Sequence, residues 1–250
     1  MACEHDENAS IATEKARLTK LERREPQRIA GTPVQLEVDA TETCEQLKLT
    51  ALGEAIGLVH ARTGHLPGAL SLYLGAPCRC IAYLGEDGGS RSYVMFLGDQ
   101  MLVKTPVAQT EKQTGVKGGY GTADRGVADQ QYDAQRRNVL SPVRLMMGKE
   151  AYQGAKLHSK AVAVIVHELG HLFHEANDSE KYWALKTQKN VEGAANDRPP
   201  ADLAIQVSQY AAKSKLEFVA EVFTGLVYGK VYSPAVMSKY SEYGGMAMTG

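Results

Sequence analysis

The sequence predicts an α+β fold in two halves, and three observations carry that expectation. Short β-prone runs separated by turn residues fill the stretch from Ala69 to Lys104. From Ser141 onward, apolar residues recur mostly at helical spacing. No internal repeat divides the chain into equivalent units. At 250 residues the chain is long enough to bury a sizeable core. Its 44% apolar and 23% charged residues are the balance of an ordinary globular protein. Lys and Arg number 28 against 29 Asp and Glu, a net charge of −1, so no global field would hold nucleic acid or an anionic membrane. The apolar run Ala161–Val166 is far too short for a membrane span.

Residues 1–30 are charged and helix-prone. EKARLTKLERREPQR carries six basic residues and few apolar ones, as expected of a solvated helix or linker to an upstream domain. Residues 31–250 are then expected to form one domain. MACEHDENAS lacks the basic and apolar regions of a secretory signal, which leaves a cytosolic protein or one exported by a route that reads no such signal. TCEQLKLTALGEAIGLVHARTG has apolar positions at helical spacing and ends at Gly64, which predicts a helix. Strands are expected at Ala69–Leu74, Arg79–Leu84, Ser92–Leu97 and Met101–Lys104. The turns EDGGS and LGDQ suit hairpins, and hence a small mixed or antiparallel sheet.

Residues 105–138 are polar and Gly-rich and read as a long loop, without the Lys-Ser/Thr of a phosphate loop. Helices are expected at Ser159–Ala176, Ala201–Ala212 and Leu216–Tyr228, with a frayed tail, EYGGMAMTG. Residues 31–140 are thus the mixed half and 141–250 the helical one. Cys3, Cys44, Cys78 and Cys80 are too few for a disulfide scaffold. Plain thiols are the expectation. A bridge from the APCRC pair to Cys44, or a shared metal, is the alternative.

The chemistry concentrates in AVAVIVHELGHLFHEAN, residues 161–177. His167-Glu168-Leu169-Gly170-His171 is H-E-x-x-H, and residues four apart share one face of a helix. His167 and His171 can therefore present imidazoles to one Zn²⁺ ion, and Glu168 suits a general base toward a water on that ion. The bland reading is a pair of satisfied histidines on a buried helix. A catalytic zinc needs a third protein ligand and an open position. Where one zincin class places a glycine and a third histidine, this chain has His174 and Asn177, so that class is rejected. His174 falls off the line of the ligand pair and reads as a supporting or surface histidine; Glu175 merely continues the helix.

Glutamates from other segments are the remaining candidates. Glu192 lies in NVEGAANDRPP, whose Gly and Pro pair make a poor helix. Glu217 is favoured: in KLEFVAEVFTGL it shares a helical face with Glu221, and two carboxylates on an apolar face are costly to bury without a cation. Glu221 would accept a hydrogen bond from a ligand histidine. Two solvated glutamates on a partly exposed face are the alternative.

HELGH, a spacer of about 45 residues and then EFVAE together resemble the catalytic domain of anthrax lethal factor and its relatives, a branch of the glutamate-zincin metallopeptidases. The resemblance covers residues 160–230 and implies a zincin-like fold with Glu217 as third zinc ligand and Glu221 behind it. It also implies that Tyr210, seven residues before Glu217, stabilises the oxyanion. The whole chain is similar to the C-terminal metallopeptidase extension of VgrG spike proteins, toxin effectors of type VI secretion systems. That implies an upstream spike domain in the same polypeptide and export without a signal peptide. It implies a protein or peptide substrate in a target cell, the periplasm favoured over a host cytosol. The strand region Ser92–Lys104 could offer an edge to an extended substrate. Two other functions fit the same residues: a zinc hydrolase of cell-wall amides, and a catalytically silent zincin-fold binding module.

Overall fold

A computed structural model describes residues 27–28, 35–39, 45–65, 70–74, 80–87, 90–97, 149–192 and 197–249. The elements are β1 (Gln27–Arg28), β2 (Gln35–Asp39), α1 (Glu45–Thr63), β3 (Leu70–Leu74), β4 (Cys80–Asp87) and β5 (Ser90–Leu97). Then follow α2 (Lys149–Asn177), α3 (Ser179–Glu192), α4 (Ala201–Val207), a 3₁₀ turn (Tyr210–Lys213), α5 (Lys215–Val227) and α6 (Pro234–Glu242).

The structure corrects the α+β expectation. Residues 149–192 and 197–249, which carry most of the buried core, are helical and contain no strand or sheet. Paired strands occur only outside that helical part, in residues 27–97, in the order β1-β2-β3-β5-β4. There β5 pairs in parallel with β3 and antiparallel with β4. Tyr93–Leu97 is therefore hydrogen-bonded on both sides, against the expectation of a substrate-pairing edge there, and the rest of that expected edge, 98–104, lies outside the described residues. The physical reason for the helical class is where most burial occurs: the apolar stripes of the helices face one another, and Met95 of β5 joins the core they form. The expected strand Met101–Lys104, the loop 105–138, and residues 1–26 of the N-terminal segment lie outside the described residues, as do the side chains of all four cysteines.

The core is assembled from α1 (Leu52, Ile56, Val59), α2 (Val162, Ile165, Val166, Leu169, Leu172), α5 (Phe218, Val219, Val222, Phe223) and α6 (Val236, Tyr240). Phe218, Phe223, Leu52, Ile56 and Met95 are the largest side chains with no solvent contact. Each contributes about 1.5–3 kcal/mol on leaving water. Phe173 of α2 stacks on Phe223 of α5, with centroids 5.8 Å apart, and helps to clamp the two helices together.

Two local departures from the sequence pattern matter for the site. The predicted helix Ala201–Ala212 stops at Val207, because Ser208 is fully extended (φ −166°, ψ 167°) and the chain restarts as the 3₁₀ turn. The tail is not frayed. His174 Nε2 bonds the carbonyl of Tyr243 at 2.7 Å, Asn177 donates to that of Gly244 at 3.1 Å, and Tyr240 to that of Met246 at 2.8 Å. Thr249 N–H reaches the Arg62 carbonyl at 3.1 Å, which joins the tail to the end of α1. Gly244 makes the fit possible: its φ is +87°, and a Cβ there would sit 3.2 Å from both His174 and Asp178.

Candidate metal centre

α2 and α5 cross at two small residues. Gly170, inside HELGH, faces Ala220, inside EFVAE, so closely that a Cβ on Gly170 would lie 3.3 Å from Ala220 Cα and 3.0 Å from Phe223 Cδ1. Only a missing side chain lets the helix backbones approach this far. That approach brings the residues on either side of the crossing within reach of each other: His167 and His171 on α2, Glu217 and Glu221 on α5.

Glu217 is fixed at the first turn of α5. Ser214 caps the helix, its Oγ accepting from the Glu217 N–H at 3.2 Å. The carboxylate lies at the helix N-terminus, where partial positive charge favours it. Its Oε2 sits 3.2 Å from His167 Nε2 and 3.4 Å from His171 Nε2. The three donor atoms lie within 4.8 Å of one another. The imidazoles meet edge to face, centroids 5.0 Å apart at 84°. Glu192, the rejected alternative, is the last residue of α3.

Behind the cluster, His167 Nδ1 faces Glu221 Oε1 at 2.8 Å. That proton belongs on Nδ1, because a carboxylate can only accept, so in a neutral imidazole the lone pair sits on Nε2 and points at Glu217. A lone pair and a carboxylate oxygen 3.2 Å apart repel unless positive charge lies between them. Burial alone would lower the His167 pKa, but its hydrogen bonds to Glu217 and Glu221 and their charges raise it well above the ordinary value. For Glu217, burial pushes upward, and the bonds to both histidines with the charges of His171 and Lys213 hold it well below the usual carboxylate range. Both shifts describe one ion pair, a protonated His167 between the two carboxylates.

A metal fits this arrangement. A four-coordinate ion with bonds of about 2.0–2.1 Å separates its donors by roughly 3.3–3.4 Å, which is the spacing of Glu217 from the two histidines. Buried His167 and Glu217 and half-buried His171 could hold a metal ion.

The other expected residues are arranged around this triad. Glu168 is buried, next to His167 on α2. Tyr210 opens the 3₁₀ turn, its ring 6.0 Å from that of His167. The negative charge of Glu217, then burial, pushes the Tyr210 phenol well above its normal pKa, and Glu168 adds to that effect. The phenol is therefore a hydrogen-bond donor. Lys213, one turn on, donates to the phenol oxygen at 3.2 Å and lies 5.0 Å from the ring centre.

His174 is neither a supporting residue of the metal site nor a surface one. It is 1% exposed and holds the tail. Burial pushes its pKa down to about 4. Sequence reasoning missed Gly170, Ala220, Ser208 and Lys213. The G-to-A match across HELGH and EFVAE was the one signal that could have exposed the first two. Among the described residues no helix is long and apolar enough to cross a membrane. No protein-family model matches the chain, nor does any curated protein or solved structure.

Proposed function

We propose that the chain is a zinc-dependent metalloendopeptidase of the glutamate-zincin type, acting as a secreted toxin effector domain. The observation that carries this reading is the convergence of two imidazole nitrogens and one carboxylate at coordination spacing, with a carboxylate and a phenol beside them. The choice of zinc rests on the donor set, two imidazoles and a carboxylate in a site of catalytic type. Bound zinc would supply Lewis acidity, polarising a carbonyl and acidifying a water.

The chain's own residues supply the rest. His167, His171 and Glu217 hold the ion. Glu221 fixes the ring of His167 through Nδ1. Glu168 takes the proton of the attacking water and hands it to the departing amine. Tyr210 donates its O–H to the oxygen that gains charge as the peptide carbonyl becomes tetrahedral. The hydrogen bond from Lys213 engages the phenol oxygen and turns its proton away from the lysine. Delivery with an upstream spike domain, without a signal peptide and toward a bacterial periplasm, rests on the sequence resemblance.

Metal analysis and one variant test the reading. Purified protein should contain about one zinc per chain, removable by a chelator. Glu168→Ala should keep fold and zinc while peptide cleavage falls by about 10²–10⁴-fold. Undiminished cleavage by that variant would sink the peptidase assignment. Comparing protein termini in target cells exposed to wild type and Glu168→Ala then identifies the substrates.

A further inference from the structure

Glu221 is fully buried, and each of its oxygens has a task. Oε1 faces the His167 imidazole at 2.8 Å, and Oε2 accepts from the Ser208 hydroxyl at 2.5 Å. The direction of the second bond is settled by a third: Ala211 N–H donates to Ser208 Oγ at 2.9 Å, so the hydroxyl's own hydrogen is left for the carboxylate. A charge-assisted bond to a buried hydroxyl holds the carboxylate in place. Holding it there holds the 2.8 Å ion pair it makes with His167 Nδ1.

Ser208 also stands at a joint in the backbone. It ends α4 in an extended conformation, its N–H bonded to the Ala204 carbonyl. Through the Ala211 N–H it holds the first turn of the 3₁₀ segment, whose first residue is Tyr210. Ser208 itself is 3% exposed. One hydroxyl therefore ties a ligand histidine on α2, by way of α5, to the segment that presents the phenol.

We infer that Ser208 is a positioning residue for both parts of the site: it orients His167 toward the metal through Glu221 and places Tyr210 through the 3₁₀ turn. The inference rests on the metallopeptidase reading. It explains why the helix from Ala201 breaks where it does. A continuous helix through Ala212 would leave Ser208 helical, its side chain no longer set by the extended backbone that aims it at Glu221.

The test measures zinc affinity by chelator competition in the full chain, with cleavage kinetics alongside. Ser208→Ala should bind zinc about 10- to 100-fold more weakly and lose kcat with KM little changed. Ser208→Thr, which keeps the hydroxyl, should restore both. In a Glu221→Gln background the further change Ser208→Ala should shift affinity by less than about twofold, because the two residues act in one chain of bonds. Wild-type affinity in Ser208→Ala, or an equal loss in both backgrounds, overturns the inference. If Ser208→Ala does not fold, Ser208→Cys, of similar volume and with a weaker donor, takes its place under the same criteria. A wild-type chain that binds no zinc fails the metallopeptidase reading and this inference together. A wild type that binds zinc, with no effect of Ser208, fails the inference alone.

Discussion

Replacing Gly170 by alanine adds one methyl group where α2 and α5 cross. Its carbon would lie 3.0 Å from Phe223 Cδ1, 3.3 Å from Ala220 Cα and 3.4 Å from the Ala220 carbonyl oxygen. Carbon atoms attract best at about 3.5–4.0 Å, so the methyl is short of room by a few tenths of an ångström. Phe223 is confined by its stack on Phe173, and the two Ala220 atoms are backbone. The helices must part to make room. Overpacking of this kind costs about 1–3 kcal/mol, and the better helix propensity of alanine returns about 1 kcal/mol. A net loss of about 1 kcal/mol follows, which lowers Tm by about 2–4 °C in a chain of this size. Because the donors sit on both helices, metal affinity should fall as well. Thermal melts with metal and with chelator, together with chelator competition, measure both effects. A Gly170→Ala protein that melts at or above wild type and binds metal equally well would refute the account of the crossing.

Two further predictions concern single groups. Tyr210→Phe should reduce kcat by about 10²–10³-fold at unchanged zinc content; loss of zinc instead would make Tyr210 a residue of the scaffold. His174 is neutral in the folded chain down to about pH 4, whereas an unfolded histidine takes up a proton near pH 6.5. The unfolded state binds the extra proton between those values, so stability falls as pH drops from about 6.5 to 4. The loss reaches about 3 kcal/mol at the lower end. Melts across that range should show a shallower slope for His174→Gln, and equal slopes would remove His174 from the acid response.

The candidate metal ligands were legible because helix geometry makes them so. His167 and His171 are four apart on a helix, and Glu217 and Glu221 repeat that spacing on another, so each pair had to share a face. Which pair meets which is a tertiary fact; the cost of burying two carboxylates on an apolar face pointed to it, and the resemblance assigned the roles. Ser208, Lys213 and Ala220 carry no local pattern: their roles depend on what lies across a gap between helices. The break after Val207 shows the limit well. SQYAAKSK has helix-compatible residues throughout, yet a buried carboxylate 13 residues ahead captures the serine and stops the helix. The tail failed for the same reason, since its Gly and Met residues look unstructured until His174 takes the Tyr243 carbonyl and the Arg62 carbonyl accepts from Thr249. The fold class was misjudged because short β-prone runs say nothing about where most of the burial will occur.

The cap of α5 has a thermodynamic consequence. Ser214-x-x-Glu217 reads as a capping box, in which the glutamate would fold back to its own helix end. Here only the serine half serves the helix, and the Glu217 carboxylate reaches the histidines instead. The backbone that carries Glu217 is therefore set when α5 forms, and that of the histidines with α2. Taking up an ion requires no segment of chain to be ordered at that moment, so little entropy is surrendered on loading. Metal can be exchanged at a site of this kind without the protein around it coming apart.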